Sequence, residues 1–206
     1  QIFIEDFRWQ LWPLYIGVLL IILIAGARQP DRTPKRNPTG VSVIILILGI
    51  LSLAMGWALP VPQPFPITGP YQIGTTIFPL TDTSRIDRYA DQPDALREIM
   101  VQIWYPAAPT EKNQRIPWIP NIVSVGPALA DWFGLPSFAL DHLIYAYGNA
   151  YLYAPVAPGN EIFPVLVFSH GWSGFKEQNI YQVEELASHG YVVIGIEHTY
   201  GAIMTV

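Results

Sequence analysis

FSHGWSGF, Phe168 to Phe175, sets a histidine, two serines and two glycines at the end of an apolar run. Two parts of an acyl-transfer site use such residues. A serine nucleophile needs the spacing G-x-S-x-G, because small neighbours let the backbone bend and leave the hydroxyl exposed. Here Gly171, Trp172, Ser173 and Gly174 run straight into Phe175, so the spacing fails for Ser173. The better match is an oxyanion hole, since acyl transfer needs backbone N–H groups aimed at the developing negative oxygen, and an HG turn after a strand supplies one. The donor would be the Trp172 amide, with Gly171 permitting a backbone geometry that other residues resist. The indole would wall the acyl pocket, and His170 and Ser173 would flank it. A plain strand-to-helix loop that needs glycine for its turn stays open as the alternative.

Other titratable groups stand nearby in sequence. His189 in ASHG and His198 in EHTYG are of the type that serves as a general base, and Glu197 could line the site behind the groups that touch substrate. His142 has no His, Cys or carboxylate partner at metal-ligand spacing and reads as a packing residue, so no metal is expected. Cysteine is absent, which excludes disulfides and thiol chemistry.

For the turn to present anything, a sheet must hold it. PVLVFS, Pro164 to Ser169, is a continuous apolar run suited to a strand buried on both faces of a parallel sheet. NIYQVEELASHG carries Ile180, Val183, Leu186 and Ala187 at helical spacing, with Gly190 in place to cap the end. YVVIGIEH is a second buried strand. Strand, helix and strand within about 35 residues form a βαβ unit, so the domain is α/β with a partly parallel sheet. Upstream, YQIGTTIFPLTD and REIMVQIWYPA also read as strands, the second with Ile99, Val101 and Ile103 on one face and Met100, Gln102 and Trp104 on the other. Between them and the βαβ unit lies a region rich in proline and aromatics, with a helix expected around Ser137 to Tyr147.

The first third of the chain has a different character. Trp9–Ala27 and Val41–Leu59 are each nineteen residues without a charge. At about 1.5 Å rise per residue each suffices for the hydrocarbon core, and apolarity all round the helix argues against a buried amphipathic element. A secretion signal is the wrong reading of the first, because Glu5 and Asp6 precede it and Arg28 and Arg32 follow it. Arg28, Arg32, Lys35 and Arg36 lie in the connection, whereas no charge follows Leu59 until Asp82. The positive-inside bias therefore puts the connection in the cytoplasm and the rest of the chain outside. PVPQPFPITGP, with five prolines, cannot continue a helix and reads as a stiff spacer over 61–69. The expected organisation is a two-helix anchor over 1–60, this spacer, and a domain over 70–206. Pro70–Val206 holds six basic and thirteen acidic residues, a poor match for nucleic acid.

GPYQIGTTIFPLTDTSR, REIMVQIWYPA, FPVLVFSHGWSGF and LASHGYVVIGIEHTYG, in that order, resemble the first half of the platelet-activating-factor acetylhydrolase family, whose members are α/β-hydrolase esterases. The resemblance covers roughly Pro70 to Val206. It implies an α/β-hydrolase sheet, incomplete in this sequence, preceded by two transmembrane helices. It also implies hydrolysis of a lipid or short-acyl ester through an acyl-enzyme, without a cofactor. In the family the residue after HG contributes an oxyanion-hole amide, which maps onto Trp172, where many relatives carry Leu. The fold orders its triad Ser, Asp, His along the chain, so a catalytic histidine follows the nucleophile and neither His189 nor His198 fits. Nucleophile, acid and base are then expected beyond Val206, with residues 1–206 inactive alone. The competing readings are a related hydrolase of a polyester, peptide or xenobiotic ester, and a non-catalytic membrane-tethered binding module.

Overall fold

A computed structural model describes residues 8–26, 38–109 and 113–203. The chain forms two compact units, Gln1–Val61 and Pro62–Val206. In the first, a 3-10 turn at Trp9–Leu11 leads into α1 (Trp12–Gly26), and α2 (Pro38–Ala58) follows. Trp9–Gly26 and Thr39–Ala58, with mean hydropathies of 1.9 and 2.4, are long and apolar enough to cross a membrane by length and composition. They are not core helices: only 11% and 6% of these stretches are buried, and Leu53 and Trp57 stand almost fully exposed. A polar contact joins the two helices. Leu14, in the first turn of α1, has an N–H with no partner inside the helix. It donates to the buried Ser52 hydroxyl of α2 at 2.9 Å. The four basic residues used above to orient the spans, and the end of the first expected span at Ala27, lie outside the described residues.

The second unit is built on a mixed sheet. Its strands are β1 (Gln72–Ile86), β2 (Leu96–Ala107), β3 (Arg115–Pro117), β4 (Tyr147–Leu152), β5 (Val165–Ser169) and β6 (Val192–Ile196). Among the described residues they lie in the order β3-β4-β1-β2-β6-β5. The long β1–β2 pair is antiparallel, from Gln72 opposite Ala107 to Asp82 opposite Arg97. β6 joins β2 antiparallel, and β5 joins β6 parallel, Val165 opposite Val192 through Ser169 opposite Ile196. The crossover is α4 (Ile180–Ser188), whose Val183 and Ala187 pack into a core with Ile73, Trp104, Ala150 and Val193. The expected βαβ unit is therefore present, and both upstream strands are where the alternation put them. Gly195 has a packing reason: the Trp104 ring lies across it, and an added Cβ would come 2.8 Å from Cζ3.

Three features depart from the sequence reading. β5 is not buried on both faces: it pairs with β6 alone among the described residues, and Val165 and Val167 are 59% and 63% exposed. Its apolar run is that of an interior strand set at an edge. The Pro-rich region contains α3 (Ile122–Trp132), with Pro127 inside it, and the helix expected to Tyr147 is a 3-10 helix, Ser137–Tyr145, that ends where β4 begins. Finally, the segment read as a spacer does not stand free from Pro62 onward. The Phe65 carbonyl accepts from Asn149 Nδ2 at 2.9 Å, and Gly69 N–H donates to Ser188 Oγ at 3.1 Å. The prolines keep it extended, and that extended backbone lies along α4, so close at Gly69 that a Cβ would collide with the Ser188 carbonyl.

Candidate active site

The carboxyl ends of β5 and β6 bring the singled-out residues together. β5 ends at Ser169, and Gly171–Gly174 closes a turn in which Gly174 N–H donates to the Gly171 carbonyl at 2.9 Å. Ser173 sits at φ 55°, whereas Trp172 does not have positive φ. This is a type II arrangement, with serine in the position that glycine usually fills. Gly171 needs none of the freedom expected of it: its φ is ordinary and an added Cβ would meet nothing within 4 Å. The unusual conformation belongs to Ser173 instead, and the crowded glycine is Gly174, where a Cβ would collide with the Gln178 side chain.

Ser173 N–H donates to the Gly201 carbonyl at 3.0 Å and Ile203 N–H to the Gly174 carbonyl at 3.1 Å, so the segment after β6 is zipped onto the turn. Among the described residues, the amides of Gly171 and Trp172 donate to no acceptor. The Trp172 side chain is 91% exposed. A cleft of about 230 Å³ lies elsewhere, lined by Phe65, Trp118, Tyr147, Tyr181 and Glu184 and touching the turn region only through Gln178.

Beneath the turn lies a buried polar layer. His170, on the first residue after β5, has its Nδ1 2.8 Å from the Gly171 carbonyl, while its Nε2 receives the His198 backbone N–H at 3.1 Å. A backbone N–H can only donate, so Nε2 accepts and Nδ1 carries the proton given to Gly171. Glu197, last before the loop that leaves β6, pairs through Oε2 with Lys176 Nζ at 3.1 Å, while its Oε1, 3.1 Å from the accepting His170 Nε2, receives no hydrogen bond there. Lys176 also reaches Glu177 Oε1 at 2.9 Å. Burial pulls the Lys176 ammonium down, but the Glu177 and Glu197 carboxylates outweigh it and hold its pKa above the ordinary lysine value. Burial pushes the Glu177 carboxyl up.

One pair was not anticipated. Ser169 Oγ lies 2.6 Å from His198 Nε2, and the His170 and His198 rings meet at 4.7 Å between centroids, tilted 60° to each other. The available signal was that both apolar strands end in polar residues, SH and EH, on neighbouring parallel strands. His189 is elsewhere: it follows α4 at the amino end of β6, where Nε2 lies 3.0 Å from the Thr68 hydroxyl and 3.2 Å from Glu185. His142 is buried and bonded to the Ala139 carbonyl, as a packing residue.

The fold and this turn have relatives. The chain is 32% identical over 136 residues to the platelet-activating factor acetylhydrolase of Cavia porcellus, covering 63% of this chain and 27% of that protein. It is 31% identical over 141 residues to a putative phospholipase A2 of Schizosaccharomyces pombe, covering 63% and 31%. It thus spans about a third or less of the length of these curated relatives. Among solved structures, a ferulic acid esterase from Streptomyces cinnamoneus superposes with a TM-score of 0.55 at 28% identity, over 69% of this chain and 38% of that one. The sheet is accordingly that of an esterase of the α/β-hydrolase fold. The family described as platelet-activating factor acetylhydrolase, isoform II, matches residues 62–206, from the start of the second unit onward, and the chain belongs to that family.

Proposed function

We propose that this chain carries the membrane anchor and the oxyanion-bearing portion of a serine carboxylic ester hydrolase acting on lipid or short-acyl esters. The observation that carries the reading is the Trp172 amide, unbonded among the described residues and held at the carboxyl end of β5 by a turn whose next two amides are engaged. Attack of a serine oxygen on an ester carbonyl turns the carbonyl oxygen into an oxyanion. A preorganised N–H that already points at that oxygen stabilises the transition state without reorganising. The Gly171 amide is a second free donor on the same turn. The buried Lys176–Glu197 pair braces the base of the loop, and no cofactor enters.

The nucleophile, acid and base belong to residues outside 1–206. The open side of β5, with its exposed Val165 and Val167, supports a further strand pairing there. α1 and α2 cross the membrane, with their connection in the cytoplasm and the hydrolase domain on the other side, so that the bilayer is both anchor and neighbour of a lipid substrate. The fold likeness to a ferulic acid esterase supports a second reading of the substrate, an aromatic ester. Steady-state kinetics on the intact protein test the central claim. Trp172→Pro removes the donor and lowers kcat by about 10² to 10³, whereas Ser173→Ala changes it little. A large loss in a folded Ser173→Ala protein would return that serine to the role of nucleophile and sink the reading. A panel of short-acyl, phospholipid and hydroxycinnamoyl esters separates the substrate classes.

A further inference from the structure

We propose that His198 is a positioning residue that clamps the Gly171–Gly174 turn so that the Trp172 N–H stays free and aimed. This rests on the reading of Trp172 as oxyanion donor. Three separate ties run from this one residue. Its side chain holds the end of β5, with Nε2 2.6 Å from Ser169 Oγ. Its backbone N–H holds His170 through Nε2 at 3.1 Å, and the other ring nitrogen of His170 holds the Gly171 carbonyl at 2.8 Å. Its backbone carbonyl accepts from Gly201 at 2.8 Å and Ala202 at 2.9 Å, closing a turn that directs Gly201 O at Ser173 N and Ile203 N at Gly174 O.

Those last two bonds explain how serine keeps a left-handed backbone that favours glycine: such conformations persist where the surroundings over-determine them. They also decide which amides remain. Ser173 and Gly174 N–H are consumed within the clamp, while Gly171 and Trp172 N–H are not. Loss of the clamp would let the turn relax, and a shift of about 1 Å in a catalytic group is enough to cost about 10²-fold in rate.

The test uses the intact protein with His198→Ala, His198→Gln, Ser169→Ala and, for the underlying reading, Trp172→Pro. Backbone amide exchange reports the clamp directly. His198→Ala keeps both backbone ties and removes the side-chain tie to the end of β5, so exchange of the Ser173 and Ile203 amides should speed by about threefold or more, through the loosened anchor, while the core strands stay protected. With p-nitrophenyl acetate its kcat should fall about 10- to 10²-fold with KM within about twofold, because an interaction made only in the transition state has been misplaced. Affinity for a trifluoromethyl ketone, which forms a tetrahedral adduct, should fall in parallel. His198→Gln, able to keep a bond to Ser169, should recover most of both losses. Ser169→Ala should show a smaller effect in the same direction and serves if His198→Ala does not fold.

If Trp172→Pro abolishes activity while His198→Ala and Ser169→Ala leave kcat and Ser173 exchange unchanged, the positioning role of the His198 side chain is overturned and the oxyanion reading stands. If Trp172→Pro has no effect, the oxyanion reading falls, and the catalytic role of the clamp with it. A fluorophosphonate adduct on Ser169 would make the Ser169–His198 pair nucleophile and base and overturn the positioning role.

Discussion

Thr68 is tied to Glu185 twice, its N–H to Oε2 at 3.0 Å and its hydroxyl to Oε1, which fastens the Pro-rich segment to the last turn of α4. The Thr68 hydroxyl, then the Thr68 N–H, hold the Glu185 carboxyl below its usual range, against a small opposing effect of burial. A depressed folded-state pKa means that the stabilisation is present above the ordinary glutamate value of about 4.3 and is lost as pH falls through the lower folded value. Intrinsic-rate-corrected exchange of the Thr68 amide should therefore show protection near neutrality that persists through the ordinary glutamate value and disappears as pH falls below it. Glu185→Gln should remove that pH dependence. Equal protection at both ends of the range would show that the carboxylate does not hold the segment.

The Lys176–Glu197 ion pair lies beneath the Gly171–Gly174 turn, with side chains 11% and 6% exposed. Glu197→Ala leaves an ammonium buried with one carboxylate in place of two. Breaking a buried pair from one side costs about 3–5 kcal/mol, and Glu197→Gln should cost less because its amide oxygen still accepts. Urea unfolding checks the order. The raised Lys176 pKa places the pair's stabilising contribution below the ordinary lysine value, to be lost only as pH rises through the higher folded value. Neutral and mildly alkaline conditions should thus give the same difference between wild type and Glu197→Gln. A neutral Glu197→Ala would mean that Glu177 alone satisfies the ammonium.

What could be seen in the sequence was local. The runs Val165–Phe168 and Val192–Ile196, with an amphipathic stretch between, announce a βαβ unit without any knowledge of their neighbours. α3 was hidden because Gly126 and Pro127, two residues that disfavour helix, stand in its middle. The short β3 has three residues, too few to show a period. The edge position of β5 and the meeting of Ser169 with His198 depend on strand order and on the register that sets Ser169 beside Ile196. Both are long-range properties that residue spacing does not carry. The turn itself was legible, but its strained residue was not: the rule that gives unusual backbone to glycine pointed to Gly171, and long-range bonds from Gly201 and Ile203 hold Ser173 there instead.

The orientation proposed for the two apolar helices rests on the basic residues between them in the sequence. Because the chain has no native cysteine, single-cysteine probes are clean. Ile162, 95% exposed in the second unit, and Thr33, in the connection between the spans, are suitable positions. In intact cells a membrane-impermeant maleimide should label Ile162→Cys and spare Thr33→Cys until the membrane is permeabilised. The reverse pattern would turn the whole arrangement over. Labelling of both before permeabilisation would mean that α1 and α2 do not span.

The last prediction concerns residues 1–206 taken alone, and it separates a site that stabilises charge from one that makes bonds. An oxyanion donor accelerates a reaction only when a nucleophile creates the oxyanion. Ser173, the serine nearest the donor, has its own amide bonded to Gly201 and lacks the G-x-S-x-G neighbours that would raise its hydroxyl above the sheet. Ser169 has its Oγ beside His198 Nε2, so it is the serine on which the prediction is most exposed. With His198 acting as a clamp and not as a base, the polypeptide 1–206 should neither hydrolyse p-nitrophenyl acetate above the buffer rate nor take up a fluorophosphonate at any serine. The intact protein should do both. Mass-spectrometric mapping of an adduct to Ser169 or Ser173 in the folded 1–206 polypeptide would show that bond-making chemistry resides in this part of the chain, and the division of labour proposed for it would be wrong.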